Sequence, residues 1–266
     1  MADILYGTPA QIGLVSRSMS LHDLLKDDPR FSYQGRIVVT GHASDAPKLA
    51  AHLSRLQGYA SAIFVPREQH EDYHSYYESQ GLIPESWDQY HGRDKAIATA
   101  SAFLANFTPP AGLTLKETGP DTDNATIHAI CAMSVEQGVT PVAGSTMRGD
   151  SIDGTILFVE ADDGRIASYG GGFMSFHEGS PWHDEAFWGM LATAPDFRGR
   201  KLACWVGAEA ITRLAARHGA RGFYTGVKPD NASSQAMCNR LGLARSGYVF
   251  AGALEPTLMG DQPVTR

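Results

Sequence analysis

The segment 186–227 constrains the fold most. Residues 186–193 (AFWGMLAT) form an apolar run of strand length, suited to a strand buried on both faces. A turn containing proline follows, and residues 200–218 then carry a helical pattern. Glu209, Arg213 and Arg217 recur every four residues as one narrow polar stripe, while Trp205, Val206, Ala208, Ile211 and Leu214 cover most of the remaining surface. A helix of this kind is pressed against a sheet. Gly219 and Gly222 end it, and 222–227 reads as the next strand. A strand, a packed helix and a second strand in this order make parallel neighbours joined by a right-handed crossover.

The surroundings extend that unit. Residues 113–117 read as a strand, and 124–137 as a helix with Ile127, Ile130, Cys131 and Val135 on one face. Residues 155–160 and 165–176 are two strands joined by the turn Asp162-Asp163-Gly164. The three glycines at 170–172 mark a close backbone approach. After 227 come a helix over 231–241, Gly242 as its C-cap, and a last strand over 247–253. Upstream, Pro109 and Pro110 fit neither a helix interior nor a central strand. They divide the chain into regions 1–110 and 111–266.

Composition narrows the function. With 43% hydrophobic residues in 266, a buried core is affordable in either region. The net charge of −7 divides into −3 for 1–110 and −4 for 111–266. This argues against a nucleic-acid partner bound through its phosphates and weakly favours a cationic small molecule. Cys131, Cys204 and Cys238 form no CxxC pair, which suits a reduced, cytoplasmic protein. No apolar run reaches 18 residues and no secretory leader is recognisable, so no membrane association is expected.

The chemistry concentrates where the strand 186–193 meets the helix. Helix N-termini present unpaired N–H groups and partial positive charge, which suit phosphate. Arg198, Arg200 and Lys201 add three cations there. Arg198-Gly199-Arg200-Lys201-Leu202-Ala203 resembles the Q/R-x-x-G-x-G/A turn of the GCN5-related N-acetyltransferase (GNAT) superfamily, with Lys201 at the place of the middle glycine. Downstream, Asn231-Ala232-Ser233-Ser234 and Leu241-Gly242-Leu243 resemble the family's second motif, at fitting spacing. The resemblance covers roughly 113–255. It implies an α/β fold of GNAT type: a mixed, mostly antiparallel sheet with a central parallel pair, flanked by helices. It also implies an acyl-CoA-dependent N-acyltransferase that moves acetyl from acetyl-CoA to a primary amine of a small molecule, by direct attack and without a metal. The donor site would comprise Leu191, Ala192, Thr193, Arg198, Gly199, Arg200, Lys201, Leu202, Ala203, Asn231 and Ser234, with a backbone N–H near Leu191 facing the thioester oxygen.

The proton-transfer groups are less determined. The attacking amine must lose a proton. Glu185, one pleat from the family's base position at Phe187, is the best carboxylate, with His183, Asp184 and His177 as rivals. Where family members carry a tyrosine that protonates the leaving thiolate, this chain has Cys238, and Tyr248 is the alternative acid.

The front region offers a competing motif. His70-Glu71-Asp72-Tyr73-His74 fits H-E-x-x-H, so a zinc hydrolase is a second reading, with Glu85 or His91 as third ligand. The polar surroundings favour a solvated helix instead. Residues 44–58 and 67–80 read as helices around a strand at 59–65, and Tyr77…Gly81-Leu82 parallels Cys238…Gly242-Leu243. Residues 36–92 thus resemble the second half of the same fold, a decayed duplication without the phosphate turn. Trp87, Tyr90 and His91 would roof the acceptor site. A third reading is a non-catalytic acyl-CoA-binding or protein-interaction module. A homodimer is compatible with all three.

Overall fold

The computed structural model describes residues 3–41 and 43–260. In chain order its elements are α1 (Pro9–Leu25), β1 (Phe31–Tyr33), β2 (Val38–Gly41), α2 (Ala46–Gln57), β3 (Tyr59–Pro66), α3 (His70–Ser79), β4 (Ile83–Gly92) and α4 (Asp94–Ala105). They continue with β5 (Leu113–Glu117), α5 (Asn124–Glu136), α6 (Gly144–Arg148), β6 (Gly154–Ala161), β7 (Ile166–Met174), β8 (Glu185–Thr193), α7 (Leu202–His218), β9 (Gly222–Val227), α8 (Ala232–Arg240), β10 (Ala244–Leu254) and α9 (Pro256–Met259). The proline segment lies between α4 and β5, outside both elements.

All ten strands form one sheet in the order β1-β2-β3-β10-β4-β9-β8-β7-β6-β5. Among the described residues only β2/β3 and β8/β9 are parallel; every other strand pair is antiparallel. Each parallel pair encloses a helix, α2 or α7, as the crossover rule requires. The glycine run in β7 serves the protein's own packing. A Cβ on Gly171 would lie 2.0 Å from the Thr155 carbonyl oxygen, and one on Gly172 would lie 2.4 Å from that of Phe187.

The two regions repeat one plan: strand, helix, parallel strand, helix, strand. Both second helices close alike. Gly81 and Gly242 take positive φ, 73° and 82°, and the amides of Leu82 and Leu243 donate to the carbonyls of Tyr77 and Cys238. The final strands are exchanged. β4 of the first half pairs with β9, and β10 of the second pairs with β3. β4 and β10 meet each other antiparallel, with Asp88 opposite Val249. That pair has the same sequence offset as Gly81 and Gly242, so a pseudo-twofold axis passes through it. The exchange makes the halves share one sheet, and α4 packs beside α7 over the second half.

Candidate active site

β8 and β9 pair only at Glu185↔Gly222, Ala186↔Phe223 and Phe187↔Tyr224. Both strands run on, to Thr193 and Val227, without pairing further. A cavity of about 680 Å³ occupies this wedge and continues under the first half, a size suited to a small-molecule ligand.

β8 is bulged where it borders the cavity. Its register against β7 shifts between Ala192↔Tyr169 and Gly189↔Gly171, and Met190 takes φ 57°. A bulge takes a residue out of the ladder and re-aims the backbone. Met190 and Leu191, the residues so released, line the wedge.

At the cavity mouth α7 begins without a side-chain cap. The Trp205 amide donates to the Lys201 carbonyl at 3.0 Å, so the amides of Leu202, Ala203 and Cys204 lie ahead of that bond. All three residues line the cavity. Lys201 adopts φ 62°, the left-handed conformation that glycine takes at least cost. The lysine therefore keeps a glycine-like backbone turn while adding charge. Arg198 reaches across to Gln137 Oε1 at 2.7 Å.

Leu191, Ala192, Thr193, Arg198, Gly199, Lys201, Leu202, Ala203, Asn231 and Ser234 all line the wedge. Arg200 is not among the lining residues; its guanidinium sits 5.4 Å from the Phe197 ring centroid. Asn231 caps α8, its side-chain oxygen accepting from Ser234 N at 3.0 Å.

The proton-transfer candidates separate. Cys238 is fully buried on the cavity wall, and burial pushes its thiol up to about 12. Tyr248 lies outside the lining, with its ring packed on Phe64 and Trp182. Glu185 also lies outside the lining. It has the strand-face parity of Phe187, but it is 1% exposed and accepts from His91 Nε2 at 2.8 Å and from Arg93. Both partners come from the first half, so Glu185 is an interlock between halves. Asp184 joins it, and the Arg93 hydrogen bond holds its carboxyl below the usual range. His183 Nδ1 donates to the Ser180 carbonyl of its own loop, and His177 Nδ1 accepts from Gly179 N.

The His70 motif resolves differently. Ser86 Oγ bridges both imidazoles, 3.0 Å from His74 Nε2, and His91 is engaged with Glu185. Among the described residues no group of three or more His, Cys, Asp or Glu is placed to hold a metal, and no helix is long and apolar enough to cross a membrane. Of the three expected roofing residues, Trp87 lines the cavity, whereas Tyr90 is buried in the cluster beneath α4 and α7.

The electrostatics of the wedge depart from those of the whole chain. Arg36, Arg198, Lys201, Lys228 and Arg240 line it, and no acidic side chain or histidine does among the described residues. The chain's net charge is a property of its whole surface, and the charged side chains lining the cavity have the opposite sign. Sequence reasoning also missed Gln34, Arg36, Tyr59 and Ser61 as wall residues. Their approach depends on the strand exchange, which leaves no local pattern.

Residues 141–243 match the acetyltransferase (GNAT) family model. That stretch of the chain is similar to the GNAT family. Among solved structures, it resembles a tandem GNAT protein from the clavulanic acid biosynthesis pathway (TM-score 0.54, 16% identity, covering 79% of this chain and 69% of that one). It also resembles a GCN5-related N-acetyltransferase from Kribbella flavida (TM-score 0.56, 13% identity, 92% and 96%). A GCN5-related N-acetyltransferase-like protein from Streptococcus suis gives a TM-score of 0.53 at 12% identity, covering 84% and 82%. At these identities the structures speak to fold, and the tandem GNAT plan matches the two halves seen here. No curated protein matches the chain.

Proposed function

We propose that this chain is a GNAT-type acyltransferase that transfers an acyl group, acetyl in the simplest case, from acyl-CoA to the amine of a small molecule by direct attack. The observation that supports it most is the uncapped N-terminus of α7, flanked by Arg198 and Lys201, at the mouth of the wedge between β8 and β9. The amides of Leu202 to Cys204 and the two cations suit a pyrophosphate. The unpaired edges of β8 and β9 offer backbone partners to an extended, amide-bearing chain. The bulge at Met190 and Leu191 directs backbone toward the thioester oxygen, where negative charge develops. The amine attacks the carbonyl carbon, the C–S bond breaks, and the thiolate takes up a proton.

Cys238 suits the wall better than the acid role. Proton transfer from a thiol held at about 12 to a leaving thiolate whose conjugate acid has a pKa of about 8.5 runs uphill. With no carboxylate or imidazole lining the wedge among the described residues, the acceptor enters as its neutral amine. The pH–rate profile should rise with unit slope up to the pKa of the amine itself, with no inflection from a protein group near neutrality. Thiol release from acetyl-CoA, followed across an amine panel, tests the function. CoA binding without release on any amine would mark a non-catalytic module instead.

A further inference from the structure

The closed end of the wedge carries two glycines. β8 and β9 last pair at Phe187↔Tyr224. Two residues further along each strand, with the same face parity, stand Gly189 and Gly226, and both line the cavity. Neither takes a positive φ, so no left-handed turn requires them. What they leave is space. A Cβ on Gly189 would lie 3.1 Å from Thr225 Oγ1 and 3.4 Å from the Phe187 ring, and one on Gly226 would lie 3.0 Å from the Phe250 ring. Side chains at both positions would fill the gap where the strands part.

The walls of this slot are largely apolar. Phe187 and Phe250 are buried cavity residues, and each packs on the ring of the fully buried Tyr224, at centroid separations of 5.9 and 6.1 Å. Ile37 and Trp87 add to the lining from the first half. Of the polar lining side chains, Gln34 Nε2 donates to the Tyr224 hydroxyl at 3.5 Å and Arg36 donates to the Thr140 carbonyl. No carboxylate or imidazole lines the cavity among the described residues. An apolar chain sheds its water here without stranding a polar group, whereas a cation would find no counter-charge.

The order of positions along β8 decides which chain takes the slot. In the acyltransferase reading the pyrophosphate sits at the mouth, beside Thr193 and Lys201, and the thioester oxygen faces Met190 and Leu191. Gly189 and then Phe187 come next. A donor entering by that path presents sulfur, carbonyl carbon and acyl chain to β8 in that order. Resting on that reading, we propose that the Gly189–Gly226 slot is an acyl-chain site, and that the preferred donor carries a linear apolar acyl group longer than acetyl, in the range butanoyl to octanoyl. Acetyl extends only one carbon past the carbonyl. A longer tail lies over the two glycines, reaches the Phe187 and Phe250 rings, and gains the burial of each added methylene.

The test is titration calorimetry of CoA and of acetyl-, butanoyl-, hexanoyl-, octanoyl- and decanoyl-CoA on the full chain. The expected result is an affinity that peaks between butanoyl- and octanoyl-CoA, at least 20-fold above acetyl-CoA. Gly226→Ala narrows the slot and should cut that gain below threefold; Gly189→Ala replaces it if the first variant does not fold. Phe250→Ala lengthens the slot and should move the peak to a longer chain. A general packing defect weakens all ligands alike and reorders none. Affinity that is flat from acetyl- to decanoyl-CoA overturns the proposal and leaves the acyltransferase reading standing. Flat affinity together with alkylamine turnover by acetyl-CoA that rises with amine length assigns the slot to the acceptor, and overturns it likewise. So does a gain that survives the glycine substitution, or a peak unmoved in Phe250→Ala. If neither CoA nor any acyl-CoA binds, the acyltransferase reading itself fails and the acyl site with it.

Discussion

The two halves carry the same strand and helix order but treat their first helix N-termini in opposite ways. In the second half, α7 starts without a side-chain cap behind Arg198 and Lys201, next to strands that part after three paired positions. In the first half, α2 starts behind Asp45, which pairs with Arg30 at 3.6 Å, and Pro47 removes an amide from its first turn. An anionic residue and a missing N–H do not make an anion site. The difference teaches that the fold supplies only an oriented helix end, and that local residues decide whether it can hold phosphate. The first half has instead become a wall. It contributes Arg36, Tyr59 and Trp87 to the cavity, β4 to the partner half's sheet, and His91 and Arg93 to Glu185.

The largest expected effect comes from removing the asymmetry. Arg198→Glu combined with Lys201→Glu should weaken CoA binding by at least 100-fold in calorimetry, since charge-assisted hydrogen bonds contribute about 1.5–3 kcal/mol each. Asp45→Asn in the first half should leave CoA affinity within twofold. Equal losses in both would erase the distinction between halves.

Next is the interlock. Glu185→Ala strips the acceptor from His91 and Arg93 across the two halves. Chemical denaturation should show a loss of about 3 kcal/mol, the low end for a broken buried pair because Arg93 is partly exposed. CoA affinity should stay unchanged. If kcat falls a hundredfold with stability intact, Glu185 is a base after all and the halves are not joined there.

Alkaline stability follows from the buried thiols. Cys131 and Cys238 are both pushed up to about 12 by burial. Above the unfolded thiol pKa near about 8.5 the unfolded chain loses these protons and the native chain keeps them. Stability is therefore full below that pH and falls as pH rises toward 12, by about 1.4 kcal/mol per pH unit per thiol. Denaturation at pH 8, 9 and 10 in wild type and in Cys131→Ala/Cys238→Ala should show the slope flatten in the variant. The smallest effect is at Lys201→Gly. Relief of the positive φ should stabilise by about 1 kcal/mol, while CoA affinity drops less than tenfold.

Much of the second half was legible in the sequence because each signal there is local. The apolar run of β8, the periodicity of α7, and Gly242 after α8 need no distant partner to be read. The partners of Glu185 were not legible: His91 and Arg93 arrive from β4 and its following loop, placed by an exchange that only pairing energies between remote strands decide. Arg36 was illegible for the same reason. As one arginine in a short turn it carries no periodicity, and only the packing of Gly35 against Phe173 brings it to the cavity. The sign of the cavity was hidden too, since a total of −7 says nothing about which five cations converge.

The most direct measurement is the stoichiometry of acetyl-CoA binding by titration calorimetry on the full chain. The account predicts one equivalent per chain, lost in Arg198→Glu/Lys201→Glu and kept in Asp45→Asn. Two equivalents, or one that survives the double substitution, would contradict it.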